Sequence, residues 1–194
     1  MTTTGSAVPL FTWRMPRAVY DRMIEAGILG EDDPIELLAG RLIVAEPKHS
    51  PHETAVHAVA DALRAAFGRD WHVRIGAPIV LGDFSEPEPD VSVVRGSVRD
   101  YRDAHPTGAA LIVEVAQTSL RLDRRIKASI YAAGGIADYW IVNLVAGVLE
   151  VRRDPVATTR RRWQYRSVTT LAREAHVTPL AARSTAILVA ELLR

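Results

Sequence analysis

Cysteine is absent from the 194-residue chain. Without thiols, the chain has no disulfide bonds, no thiolate nucleophile and no cysteine-ligated zinc. Long apolar runs are absent as well, since no segment approaches the roughly 18 consecutive apolar residues that a membrane-spanning helix needs. Residues 1–6 also lack the basic and apolar regions of a secretion signal. We therefore expect a soluble, cytoplasmic protein that does not contact a membrane.

Lysine is scarce in this chain. Of its 24 basic residues, 22 are arginine, and the two lysines are Lys48 and Lys127. Lysine is a compact, mobile point charge with a tunable pKa, so its rare use indicates that these two positions could serve chemistry.

The formal net charge is only +1. No field of the whole molecule therefore draws the chain to nucleic acid, and any such contact must come from a local basic patch.

The chain is long enough to bury a sizeable core, and its hydrophobic content of 48% is ordinary for a globular protein. We expect a flexible N-terminus over residues 1–14 and one compact domain over residues 15–194. No internal repeat, low-complexity segment or glycine-rich phosphate loop interrupts that domain. Its function must therefore be read from individual polar residues on its strands and helices.

One of these polar residues lies inside an apolar run. The run Leu111–Ala116 reads as a buried strand, with Ile112, Glu114 and Ala116 on the same face. A buried carboxylate is costly unless a cation, a metal or several hydrogen bonds meet it. The position of Glu114 therefore predicts a metal site.

A second carboxylate, Asp90, stands at the start of the preceding apolar strand, after two prolines. Plain turn chemistry is the alternative explanation for Asp90. Consecutive strands usually lie side by side, so Asp90 and Glu114 could converge. Two carboxylates with a backbone carbonyl suit Mg²⁺ or Mn²⁺, which activate water and polarise phosphoryl oxygens. A nearby lysine would complete a phosphodiester-cleaving site.

The helix predicted from about Leu122 to Ala133 carries the candidate lysine. We expect its buried stripe to consist of Leu122, Ile126, Ile130 and Ala133. Asp123, Lys127 and Tyr131 are four residues apart and form a neighbouring stripe on the border of that face. Lys127 either forms a surface pair with Asp123 or points across the border toward Glu114.

Three further segments carry polar residues of interest. Residues 35–46 read as a hairpin that bends at Ala39-Gly40 and carries Glu36. A helix from Ser50 to about Gly68 begins with a capping box and carries His52, which we interpret as a solvated or capping histidine rather than a zinc ligand. Arginines at 160–162 precede Trp163 and Tyr165, a pattern typical of either a nucleic-acid-binding strand or a solvated outer face.

These features together resemble the Uma-type restriction endonuclease family, within the PD-(D/E)XK nuclease superfamily. The resemblance covers roughly residues 15–190. It rests on segments 36–40, 89–94, 111–115 and 135–142, on His52, and on Asp123, Lys127 and Tyr131.

The resemblance implies a restriction-endonuclease-like α/β fold, with a mixed β-sheet flanked by helices, and a homodimer that acts on DNA. By position, it assigns Asp90 and Glu114 as ligands of Mg²⁺ or Mn²⁺ and Lys127 as the catalytic lysine. Glu36, His52, Asp123 and Tyr131 would support them. The chain departs from the family at residues 117–120, where the family has Ser-Pro-Ser-Thr, and at Asn143, where it has aspartate.

The sequence is also compatible with two other functions. A catalytically inactive dimeric module on the same fold would bind nucleic acid or a protein, with Asp123 neutralising Lys127 and an arginine pairing with Glu114. Phosphoester chemistry on a small nucleotide is the other, and the modest net charge allows it.

Overall fold

The fold is described from a computed structural model over residues 12–30, 33–45, 49–159 and 162–194. Lys48, Arg160, Arg161 and most of the predicted flexible N-terminus lie outside these residues. Within the described part of the chain, no helix has both the length and the apolarity needed to cross a membrane.

A six-stranded mixed sheet forms the centre of the molecule. Its spatial order is β3-β4-β5-β6-β7-β8, and only the β5–β6 pair is parallel. The strands of this sheet are β3 (Trp71–Ile75), β4 (Val91–Arg95), β5 (Leu111–Ala116), β6 (Asp138–Asn143), β7 (Val148–Thr159) and β8 (Arg162–Leu171). Two antiparallel pairs lie outside it: β1 (Ile35–Leu38) with β2 (Arg41–Val44), and β9 (His176–Val177) with β10 (Ile187–Leu188).

Helices cover both faces of the sheet. They are α1 (Arg17–Glu25), α2 (Ser50–Phe67), α3 (Leu120–Leu122), α4 (Ala128–Ala133) and α5 (Val189–Leu192), with a 3-10 turn at Val98–Tyr101. Helices α3 and α4 are joined without a break by a π-helical turn, Asp123–Lys127. We call the continuous segment 120–133 the site helix. It connects β5 to β6, the one parallel pair, for which a crossover is required.

The central strand β5 is buried on both faces, and each face packs on a different helix. Leu111, Val113 and Val115 join the apolar cluster that includes α2 and α5. Ile112 and Ala116 join the cluster that includes α4. This alternation confirms the predicted faces of the strand, and it turns Glu114 toward the site helix.

The hairpin β1–β2 confirms the predicted bend. Ala39 and Gly40 both have positive φ angles, 52° and 79°, as a two-residue hairpin turn of the I′ type requires. The hairpin is fixed to the approach to β4, because the backbone N–H of Glu86 donates to the carbonyl of Leu37 at 2.8 Å. This contact brings β1 alongside the segment that ends at Asp90.

The start of α2 differs from the prediction. The helix begins at Ser50, with His49 at the N-cap position and no side-chain capping bond, so the predicted capping box is wrong. Pro51 lies in the first turn, where its fixed φ angle and missing N–H are tolerated. Gly68 ends the helix as predicted, with a φ angle of 74°. The buried residues of α2 pack on the sheet, and His52 in its first turn is placed beside Asp90.

Candidate active site

A cleft of about 890 Å³ opens between the hairpin, the start of α2, β5 and the site helix. Six of the seven residues singled out in the sequence line it, and the seventh, Tyr131, is fully buried and hydrogen-bonded to one of them. The six are Glu36, His52, Asp90, Glu114, Asp123 and Lys127. Residues that are 91 positions apart in the chain therefore meet in one site.

Lys127 lies at the centre of this group. Its Nζ donates to Oε1 of Glu114 at 3.1 Å and to Oε1 of Glu36 at 3.2 Å. The lysine side chain is 6% exposed, so the alternative of a surface pair with Asp123 is wrong. Tyr131 also donates its hydroxyl to Oε1 of Glu114. Within the described residues, no hydrogen bond reaches the other oxygen of that carboxylate.

The buried face of the site helix is the polar stripe, which corrects the predicted apolar one. Asp123, Lys127 and Tyr131 are buried, whereas Ile126 is 39% exposed and Ala133 is exposed. Two causes act together. Glu114 on β5 faces the helix and attracts the lysine, and the π-helical turn shifts the phase of the helix relative to an ordinary 3.6-residue repeat. Of the predicted apolar stripe, Ile130 is buried and Leu122 is partly buried against the same cluster, whereas Ile126 lines the cleft and Ala133 is exposed.

Asp90 precedes β4, as predicted, and hydrogen bonds from two other elements hold its carboxylate. Its Oδ2 accepts from the backbone N–H of Val115 at 2.8 Å and contacts Nε2 of His52 at 3.2 Å. Burial alone would raise the pKa of Asp90, but the bonds from His52 and Val115, with the charge of Lys127, lower it overall. Asp90 is thus an ionised carboxylate beside Glu114, and His52 is its partner rather than a solvated histidine.

Asp123 supplies a further buried carboxylate. Its Oδ2 accepts from the hydroxyl of Ser119 at 2.6 Å, and its Oδ1 has no hydrogen-bond partner among the described residues. Burial raises the pKa of Asp123 to about 6, against the opposing effects of Lys127 and Ser119. The segment 117–119, which departs from the family pattern, therefore still provides polar side chains to the cleft.

The floor of the cleft has an excess of negative charge. Among the residues that the structure describes, four buried carboxylates, those of Glu36, Asp90, Glu114 and Asp123, face one lysine. Burial raises the pKa of Glu114 well above its ordinary value, and the neighbouring carboxylates raise it further, while Lys127 acts in the opposite direction. Burial by itself would lower the pKa of Lys127, but these carboxylates raise it above its ordinary value. The lysine is therefore charged, and the remaining negative charge calls for protons or another cation.

The donor set of the floor fits a hard divalent cation. Oxygen ligands from carboxylates suit Mg²⁺ and Mn²⁺, and the excess charge and raised pKa of Glu114 are what an added cation would relieve. In the described part of the chain, no three His, Asp or Glu residues are grouped so that they could hold a metal by themselves. A cation here would therefore rely on Asp90 and Glu114, with backbone, water or substrate oxygens. Their role as metal ligands and that of Lys127 in catalysis stay predictions.

Sequence reasoning missed the rim of the cleft. Arg121 and Arg125 line it and are exposed. Their spacing of four residues, which places both on one face of a helix, was the signal in the sequence that could have revealed them.

The basic and aromatic segment after β7 does not form a mixed basic and aromatic surface in its described part. Trp163 packs on the core, and Tyr165 is buried and donates its hydroxyl to the carbonyl of Ile136. Arg162 alone of the three arginines is described, and it is exposed.

Comparison with known proteins assigns this chain to a family. The fold is similar to the crystal structure of "a putative nuclease belonging to DUF820" from Anabaena variabilis, with a TM-score of 0.69 and 14% sequence identity. The match covers 88% of this chain and 96% of the other. None of the curated proteins matches the chain significantly. The model of the Uma2 family, described as "Putative restriction endonuclease", matches residues 18–188. The chain therefore belongs to the Uma2 family.

Proposed function

We propose that the protein is an endonuclease that hydrolyses phosphodiester bonds of DNA with the aid of Mg²⁺ or Mn²⁺. The observation that carries this proposal is the convergence of Asp90, Glu114 and Lys127 in one cleft, with Lys127 Nζ 3.1 Å from Glu114. Family membership supports the same chemistry. Homodimers, and one domain over residues 15–194, are also part of the proposal.

Asp90 and Glu114 would hold the cation. When bound, it would polarise phosphoryl oxygens and lower the pKa of water, so that hydroxide is available near neutral pH. Asp90 is prepared for this role because His52 and the backbone N–H of Val115 fix its carboxylate and favour its ionised form. Glu114 is prepared because Lys127 and Tyr131 both occupy Oε1, which fixes the orientation of its carboxylate.

Lys127 would act on the phosphate. Its ammonium group is charged, and two carboxylates, those of Glu36 and Glu114, hold it at the floor of the cleft. A positioned ammonium group can donate to a phosphoryl oxygen and stabilise the negative charge that develops as the phosphate becomes pentacovalent. Glu36 is itself fixed, because its Oε2 accepts from the backbone N–H of Glu88 at 3.2 Å.

Cleavage of supercoiled plasmid tests the proposal. We expect purified protein to nick or linearise the plasmid with Mg²⁺ or Mn²⁺ and not with EDTA. Asp90→Ala, Glu114→Ala and Lys127→Ala should each lower the rate by about 100-fold or more. Asp61→Ala is the matched control, because Asp61 is exposed on α2 outside the cleft. If the folded wild type cleaves no DNA with any divalent cation, the proposal is wrong and a catalytically inactive binding module becomes the better reading.

A further inference from the structure

The cleft has one wall that its proposed chemistry does not explain. Opposite the site helix, the hairpin and its flanks line the opening with apolar side chains, and the site helix adds Leu122 and Ile126. Val44 is 69% exposed and Ile126 is 39% exposed. The other apolar residues of this wall are Pro34, Ile43 and Ala45. Branched apolar residues grouped at the mouth of a polar cleft mark a surface that another molecule covers.

The basic groups of the rim face the same opening. Arg121 and Arg125 both line the cleft, and none of the described carboxylates lies within ion-pair distance of either. Arg124, between them in sequence, is turned away and is bound by Glu150 on β7, with Nε 3.0 Å from Oε1. The site helix therefore places two exposed arginines at the cleft, while a third stabilises the fold.

We propose that this cleft binds an unpaired nucleotide strand, with Arg121 and Arg125 on its phosphates and the apolar side chains of the cleft mouth, Val44 on the hairpin and Ile126 on the site helix, against its bases and sugars. The inference rests on the proposed function. In a duplex, bases are stacked inside and offer mainly phosphates, whereas an unpaired base exposes an apolar face that gains by leaving water. The volume of about 890 Å³ lies in the range of pockets that enclose small molecules, which suits one or two nucleotides of a single strand.

Binding of one labelled oligonucleotide, alone and annealed to its complement, tests this proposal. Fluorescence anisotropy measures binding to the wild type in EDTA, where no divalent cation supports cleavage. The measurement is repeated with the Glu114→Gln variant in Mg²⁺, where the altered site should not cleave. We expect the Kd for the single strand to be lower than the Kd for the duplex by about tenfold or more. Equal or tighter binding of the duplex would overturn the inference.

Variants of the apolar residues and variants of the arginines should affect the salt dependence of binding differently. Val44→Ser and Ile126→Ser should each weaken single-strand binding about three- to tenfold without changing its salt dependence, because they remove apolar contact. Arg121→Ala with Arg125→Ala should weaken it and flatten its salt dependence, since two phosphate contacts are lost.

Matched controls are Val168→Ser and Arg99→Ala, which change exposed residues outside the cleft and should leave binding unchanged. A Val44→Ser variant that binds normally but sediments as a smaller species would overturn the inference, because the wall would then be an interface between subunits.

Cleavage assays separate the two proposals. Single-strand preference without any cleavage would contradict only the endonuclease proposal, and metal-dependent duplex cleavage unaffected by Val44→Ser and Ile126→Ser would contradict only the inference.

Discussion

Lys127 and Glu114 belong to different elements, and their side chains meet inside the core at 3.1 Å. The glutamate is fixed by the central strand of the sheet, while the lysine reaches it from the site helix that follows. A lysine two residues after Glu114 would lie on the same face of the same strand, so that one strand would position both groups. Here Ala116 occupies that position, so the packing of the site helix on the sheet positions the ammonium group.

Replacing Lys127 with methionine should strongly destabilise the protein at pH 8. The change leaves Glu114 and Glu36 buried without their cation, and breaking a buried ion pair in this way costs about 3–5 kcal/mol. At pH 5 the loss should be smaller, because the buried carboxyl group of Glu114, whose pKa is raised by burial, can take up a proton. Urea denaturation at both pH values measures the effect. Arg125→Met, at an exposed position of the same helix, should change the free energy of unfolding by less than about 0.5 kcal/mol.

Asp123 should make stability depend on pH in a defined window. Burial raises its pKa from 3.8 to about 6. The charges of Asp90 and Glu36 also raise it, whereas the charge of Lys127 and the hydrogen bond from Ser119 lower it. Its contribution is therefore fully present below pH 3.8 and is lost as the pH rises through about 6. Asp123→Asn should reduce the fall in unfolding free energy across this window by about 1–3 kcal/mol.

Denaturation of Asp123→Asn and wild type at several pH values in EDTA measures that slope. Asp61→Asn, at an exposed position, should leave the slope unchanged. An identical slope for Asp123→Asn and wild type would show that the Asp123 carboxyl is not shifted in the folded protein.

Mn²⁺ should raise the melting temperature, and more at pH 8 than at pH 5. The cation and protons compete for the same carboxylates, and the raised pKa of Glu114 extends this competition toward neutral pH. At a Mn²⁺ concentration 100 times the Kd, the stabilisation would be about 2.7 kcal/mol. Glu114→Gln and Asp90→Asn should abolish it, and Asp61→Asn should not. Equal stabilisation of all variants would place the cation elsewhere on the protein.

The phase of the site helix can be tested with two isoleucines four residues apart. Ile130 is 8% exposed and Ile126 is 39% exposed. Ile130→Ser should therefore cost about 2–5 kcal/mol, because it leaves a cavity and buries a hydroxyl. Ile126→Ser should cost less than about 1 kcal/mol. Chemical denaturation compares the two, and equal losses would mean that both residues face the core, as the apolar pattern alone predicts.

The sequence was sufficient to place the two strand carboxylates. The alternation along Leu111–Ala116 and the prolines before Asp90 are local signals, and neighbouring strands brought the two groups together as expected. Local pattern failed on the site helix, because a buried carboxylate on another element outweighed the apolar stripe. It also could not show that Glu36 would reach Lys127, since that contact spans 91 positions and depends on the hairpin.

The π-helical turn at Asp123–Lys127 has a consequence for how this cleft can change. In that turn, the N–H of Ala128 bonds to the carbonyl five residues back, so the turn contains one residue more than an α-helical turn would. Such a turn takes up its extra residue locally, so deleting one of the residues between Asp123 and Lys127 would restore the ordinary repeat while the α-helical segments on either side keep their packing. Asp123 and Lys127 would then be three residues apart, a spacing that still lets them share a face of the helix. The length of the site helix can therefore change by one residue while the sheet and both ends of the helix stay the same.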